Sequence, residues 1–207
     1  MLHIMYWDDT GGMALITYDI NGKLYINLTN RCSNSCSFCI RNTCDGVGYD
    51  LWLEKEPAAE EVIETMGKAD EYEEIVFCGY GEPTERLREL LEVARHAKAL
   101  GKTVRLDTNG QGSLIWGRNI APELEELVDA ISISLNAADA GQYDELCRSD
   151  FGRRAYEAVI EFARECKKYI PEVTLTVVDI ISASDIEKCS KIAKQLGVGF
   201  RVRRYYK

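Results

Sequence analysis

Apolar positions along the chain follow two periods. Short runs rich in β-branched and aromatic residues alternate with longer stretches whose apolar residues recur every three or four positions. The short runs predict strands at 24–28, 74–78, 103–107, 129–135, 173–181 and 199–205. The longer stretches predict helices from Pro57 to about 69, at 84–100, from Pro122 onward, and at 139–147, 152–169 and 185–196. In the second of these, Leu87, Leu90, Leu91, Ala94 and Ala97 share one face. Pro57, Pro83, Pro122 and Pro171 all fall between elements, and Gly101 and Gly197 stand where helices end. Six strands separated by helices imply parallel neighbours joined by right-handed crossovers. The expected fold is α/β, a single-domain partial (β/α)6 barrel of parallel strands. A flat doubly wound sheet is the alternative, and a closed eight-stranded barrel usually takes ~250 residues. The core domain is expected over 23–207, with 1–22 as an N-terminal extension. Met13, which leads straight into the first strand, is a second candidate start.

Composition narrows the function. The 207 residues, 46% of them apolar, suffice for one substantial core and not for two. A net charge of −9 argues against non-specific binding to nucleic acid or an anionic membrane. No apolar run approaches the ~20 residues of a membrane span. The first residues lack the basic start and apolar stretch of a secretory signal, so a cytoplasmic location is expected. In a reducing compartment the eight cysteines are better read as metal or redox groups than as a disulfide framework. With only two histidines, His-rich zinc sites and Ser/His/Asp hydrolysis are disfavoured.

The cysteines are unevenly placed. Cys32, Cys36 and Cys39 form a C-x3-C-x2-C loop just after the first predicted strand, at the end where parallel sheets place their chemistry. Three thiolates can hold three irons of a [4Fe–4S] cube and leave the fourth iron open to another ligand. The competing reading closes the set with Cys44 into a structural zinc or four-cysteine iron–sulfur site, in a non-catalytic adaptor module.

Cys32, Cys36 and Cys39, with Phe38 beside the last, resemble the signature loop of the radical S-adenosylmethionine (radical SAM) superfamily. Gly79-Tyr80-Gly81-Glu82-Pro83 follows the second strand and resembles that superfamily's Gly-Gly-Glu motif, with Tyr80 interposed. Thr108-Asn109-Gly110 ends the third strand and Ser134-Leu135-Asn136 the fourth, where the family places polar contacts to cofactor or substrate. The strings 24–32, 77–84 and 134–137 are most similar to the small radical SAM proteins associated with TatD-family nucleases, a family with no assigned reaction. The resemblance covers about 23–205. It implies a [4Fe–4S] cluster held by Cys32, Cys36 and Cys39. It also implies SAM held by Phe38, Gly79, Tyr80, Gly81, Glu82, Asn109, Ser134 and Asn136, with the adenine near Phe38 and 177–180. The implied chemistry is reductive cleavage of SAM to a 5′-deoxyadenosyl radical that takes hydrogen from a substrate. A flavodoxin or ferredoxin is implied as electron donor and a TatD-family nuclease as an associate.

Other candidates are read more plainly. Cys78, Cys147, Cys166 and Cys189 are expected in the core, and His3 and His96 in solvent. Alternation places Arg201 and Arg203 on one face of the last strand, either as an anion-binding pair or as a basic strand meeting acidic helices. Arg105 and Asp107 share a face in the same way. With no covering domain, one side of the sheet stays open, and the substrate can be as large as a macromolecule.

Overall fold

The computed structural model describes residues 6–7, 13–42, 48–67 and 69–205. A short antiparallel ribbon, β1 (Tyr6–Trp7) with β2 (Met13–Ala14), precedes the main sheet. That sheet runs in order through β3 (Thr17–Ile20), β4 (Lys23–Ile26), β5 (Glu74–Phe77), β6 (Thr103–Thr108), β7 (Ala130–Ser134), β8 (Glu172–Val178) and β9 (Gly199–Arg203). From β4 to β9 every neighbour is parallel and sequential, the (β/α)6 progression read from the pattern. The sheet does not close, since β3 and β9 are its two edges.

Part of the segment read as an extension belongs to this sheet. β3 pairs antiparallel with β4 around Asn21 and Gly22, both at positive φ (54° and 73°), the signature of a tight I′ hairpin. The sheet therefore starts before the boundary drawn at residue 23.

The crossovers are α1 (Ala59–Thr65), α2 (Leu87–Ala99), α3 (Gly112–Trp116), α4 (Ala140–Cys147), α5 (Arg154–Cys166) and α6 (Ala183–Leu196). Asp139 caps α4 through the Gly141 and Gln142 amides, Ser182 caps α6, and Gly197 ends α6 in the left-handed conformation. The helix expected from Pro122 is only a 3-10 turn, Ala121–Leu124. Glu126 takes φ 62° two residues after it, because β7 begins six residues beyond Leu124 and the chain must turn back. Leu124 and Val128 are buried all the same. No helix among the described residues is long and apolar enough to cross a membrane.

Strand register divides the sheet into two unlike faces. Ile26, Ile75, Phe77, Val104, Leu106, Ile131, Ile133, Val173 and Leu175 point to the helices and form the main core. The opposite, inner face carries Tyr25, Val76, Arg105, Asp107, Ser132, Ser134, Thr174, Thr176, Arg201 and Arg203. A sheet covered by helices on both faces would read as continuous apolar runs; this one alternates.

Candidate active site

The segment after β4 crosses the carboxyl edge of the sheet and is tied down on both sides. On the near side, Glu56 accepts from Thr29 Oγ1, Arg31 Nε (2.7 Å) and Arg86 Nη1 (3.1 Å). On the far side, Ser35 N donates to Cys147 O (3.0 Å), Ser37 N to Leu146 O (2.9 Å) and Asp150 N to Ser33 O (2.9 Å). Asn34 and Ser149 add an isolated antiparallel bridge. The cysteine loop thus spans from β4 to the end of α4.

Beneath it lies Gln111, fully buried and missed by the sequence reading. Its Oε1 accepts from Ser33 Oγ (2.9 Å) and Ser149 Oγ (2.8 Å), and its Nε2 donates to Asn34 Oδ1 and Tyr143 OH (both 2.8 Å). The preceding turn contributes as well. Asn109 Nδ2 donates to Ser33 Oγ (3.1 Å) and reaches Cys32 Sγ (3.8 Å), while Asn109 Oδ1 accepts from Gln111 N (2.8 Å). Asn109, a candidate for cofactor contact, is turned toward the cysteine loop.

Cys32, Cys36 and Cys39 are all partly accessible at the mouth of this scaffold. A helical turn places the last two together, with Cys39 N on Cys36 O (3.2 Å) and Asn42 N on Cys39 O (2.9 Å). Burial, and next the charge of Glu82, push the Cys32 thiol up to about 12. Contact with Cys147 and burial push Cys36 up strongly, and burial raises Cys39. Cys147, expected as plain core, is fully buried but lies against Cys36, directly under the loop. Cys166 and Cys189 are core residues as expected. Cys44 lies outside the described residues, as does His3.

The glycine-rich turn after β5 serves the chain itself. A Cβ at Gly81 would stand 2.2 Å from Thr29 O and 2.6 Å from Arg31 O, and one at Gly79 would stand 2.1 Å from Asn27 Oδ1. Glycine is what lets this turn lie against the strand feeding the cysteine loop, and Glu82 N completes the contact on Arg31 O (2.7 Å). The Glu82 carboxylate points inward. Oε1 accepts from Thr84 N (3.0 Å), Thr84 Oγ1 and Thr108 Oγ1 (both 2.7 Å), and Oε2 from Asn109 N (2.6 Å). It clasps the β5 and β6 turns together; burial pushes it up while these four donors pull it down. Tyr80 is buried against Tyr18 and Leu51, with its hydroxyl on Tyr49 O (3.2 Å). Phe38 packs on the main core.

At the end of β7 the two candidates differ. Ser134 Oγ accepts from Arg203 Nη2 (3.2 Å). Asn136 is buried, takes φ 56°, and directs Nδ2 at Cys147 Sγ (3.9 Å), while its Oδ1 has no partner. A buried acceptor left open is uncommon, and this one sits under the cysteine loop. On the inner face, Arg105 is committed: it holds Asp107 through Nη1 (2.7 and 2.8 Å), Glu74 through Nε (2.8 Å) and Tyr25 OH through Nη2 (3.2 Å).

The profile of the radical SAM superfamily matches residues 26–191, most of the chain. The protein belongs to the radical SAM superfamily, whose members use a [4Fe–4S] cluster and SAM. The "putative glycyl-radical enzyme activating enzyme" of Methanocaldococcus jannaschii is 24% identical over 168 residues, 79% of this chain and 65% of that protein. The pre-heme d1 synthase of Dinoroseobacter shibae is 31% identical over 143 residues, 69% of this chain and 32% of that protein. The chain thus spans under two thirds of either relative. Among solved structures, Streptococcus suis SuiB bound to the precursor peptide SuiA matches with a TM-score of 0.66 at 17% identity, over 89% of this chain and 39% of SuiB. A radical SAM methyltransferase from Sphaerobacter thermophilus matches with a TM-score of 0.61 at 16% identity, over 95% of this chain and 74% of that one. These two share the fold, a partial barrel.

The residues present fit the superfamily's cofactors. Thiols are soft ligands suited to iron. The free Oδ1 of Asn136 is an acceptor for a ribose hydroxyl or an ammonium.

Proposed function

We propose that the chain is a radical SAM enzyme acting on a substrate held against the inner face of the sheet. The observation that carries this is the cysteine loop. Its three thiols are partly accessible, its backbone is anchored across the carboxyl edge by α4 and the segment after α4, and the Asn109 side chain just beyond β6 holds Ser33. When bound, cluster and SAM supply reductive carbon–sulfur cleavage and a 5′-deoxyadenosyl radical that abstracts hydrogen. The chain's own part is positional. Cys32, Cys36 and Cys39 hold the cluster. The carbonyls of the Gly79–Gly81 turn and the Asn136 amide oxygen accept from SAM. Glu82 and Asn109 keep the turns in register and touch no cofactor, and Ser134 reaches SAM only by releasing Arg203.

Several further assignments belong to this reading. The electron donor is a flavodoxin or ferredoxin, the location cytoplasmic, and the subfamily that of the TatD-nuclease associates. The accessible inner face admits a large substrate, in keeping with the glycyl-radical activating relative.

Anaerobic reconstitution followed by EPR tests the proposal. Added SAM should change the spectrum of the reduced cluster, and dithionite should yield 5′-deoxyadenosine. An unchanged spectrum and no cleavage would refute it. Cys44→Ala separates the zinc or closed-cluster adaptor: retained iron fits three ligands, whereas loss of the centre fits four.

A further inference from the structure

Arg201 and Arg203 lie on the inner face of β9, two residues and so ~6.6 Å apart. Each gives one Nη2 hydrogen to a serine across β8: Arg201 to Ser132 (3.1 Å) and Arg203 to Ser134 (3.2 Å). These bonds lay both side chains along the sheet toward its middle. Both residues remain accessible. Among the described residues neither guanidinium is within ion-pair distance of a carboxylate, whereas sixteen other ion pairs join Lys or Arg to acids elsewhere.

The acids of the same face do not serve them. Asp107 and Glu74 are held by Arg105 and Lys23, and Glu172 stands at the opposite, amino-terminal end of β8. A guanidinium has five donors, so each arginine keeps four beyond its serine. Arg203 reaches Ser134, the last residue of β7, at the same carboxyl edge that the cysteine loop crosses. In a chain of net charge −9, two cations without an ion-pair partner on the inner face are a specific feature.

We propose that Arg201 and Arg203 form an oxyanion-binding site for the substrate, recognising a phosphate or carboxylate group on the molecule that meets the radical. This rests on the enzyme reading above and names the chemistry of its substrate. Ser132 and Ser134 are positioning residues that hold the two guanidiniums parallel.

The test uses the full chain, as isolated and again after cluster reconstitution, with arginine Nε–Hε resonances followed by NMR at constant ionic strength. Inorganic phosphate and acetate are titrated separately. Saturable shifts of Arg201 and Arg203 with none at exposed Arg88, together with loss of calorimetric anion binding in the R201Q/R203Q double variant, support the site. Phosphate favoured by about tenfold assigns a phosphate group, and equal or better acetate a carboxylate. No saturation by either anion below about 50 mM overturns the proposal, as does binding that survives in the double variant. Displacement of phosphate by SAM also overturns it, because the pair would then serve the SAM carboxylate. The EPR test reads the cluster and these titrations read the arginines, so either can fail alone.

Discussion

Gln111 offers the sharpest test of how the cysteine loop is held. Gln111→Leu keeps most of the side-chain volume and removes all four of its side-chain hydrogen bonds. Asn34 Oδ1 then loses its donor inside the protein, and the Ser33 and Ser149 hydroxyls lose their acceptor. Ser33 Oγ still accepts from Asn109, and Ser149 Oγ from Phe151 N. At about 0.5–1.5 kcal/mol for each net bond, and more for a stranded acceptor, the cost is about 2–4 kcal/mol. A domain stable by about 5–15 kcal/mol still folds after such a loss. Urea midpoints give the global change, and hydrogen exchange at 32–39 gives the local one. The exposed Gln195→Leu is the control. Exchange at the loop should accelerate more than at β6 or β7, and iron retained per chain should fall. A loss below about 0.5 kcal/mol with unchanged loop exchange would refute the scaffold role.

Further outcomes follow from the same contacts. Gly81→Ala drives a methyl into backbone oxygens that cannot yield, and should cost at least about 2–3 kcal/mol or abolish soluble expression, whereas Gly141→Ala, 3.2 Å from the Asp139 carboxylate, should stay within about 1 kcal/mol by thermal denaturation. Glu82→Gln puts an amide N–H₂ among four donors and should destabilise by about 2–4 kcal/mol before any cofactor is added. Asn136→Gly keeps the positive φ and removes an unsatisfied acceptor, so stability should change by under about 1 kcal/mol while SAM affinity, read by calorimetry, falls about tenfold. Cys147→Ala should leave iron content unchanged, since that thiol is fully buried; loss of iron equal to that in Cys36→Ala would make Cys147 a ligand.

The strand order was legible because each strand is a separate apolar run, and one residue in two points to the helices. The hairpin of β3 and β4 was equally legible: Ile20-Asn21-Gly22-Lys23 is the Asn-Gly signal of a two-residue turn, overlooked because the segment before it looked like an extension. The helix after Pro122 was misread because Leu124, Leu127 and Val128 have helical spacing, and spacing cannot show that only five residues separate Leu124 from β7. The cysteines and glycine turn were visible as motifs. Their partners were not: Gln111 meets Ser33 and Ser149 across 78 and 38 residues, and no local pattern encodes such contacts. Nor could such a pattern show the close approach of Gly79 and Gly81 to Asn27, Thr29 and Arg31, which joins two turns far apart in the sequence.

This redistribution of roles has a physical basis. A buried polar group that is fully bonded within the chain gains little by meeting a ligand, because each new bond must replace an old one. By that measure Glu82, Asn109 and Gln111 are scaffold, and their value is rigidity at the point where a cofactor must be held in one orientation. Groups with capacity left over are where a ligand gains most. Among these are three accessible thiols, the Asn136 amide oxygen and two guanidiniums that lack an acid. The first two sets lie at the carboxyl edge and match an iron–sulfur cube and SAM. The guanidiniums lie farther round the inner face on β9, with Arg203 reaching Ser134 at the end of β7, where a substrate approaching a radical formed at that edge would present its own charge.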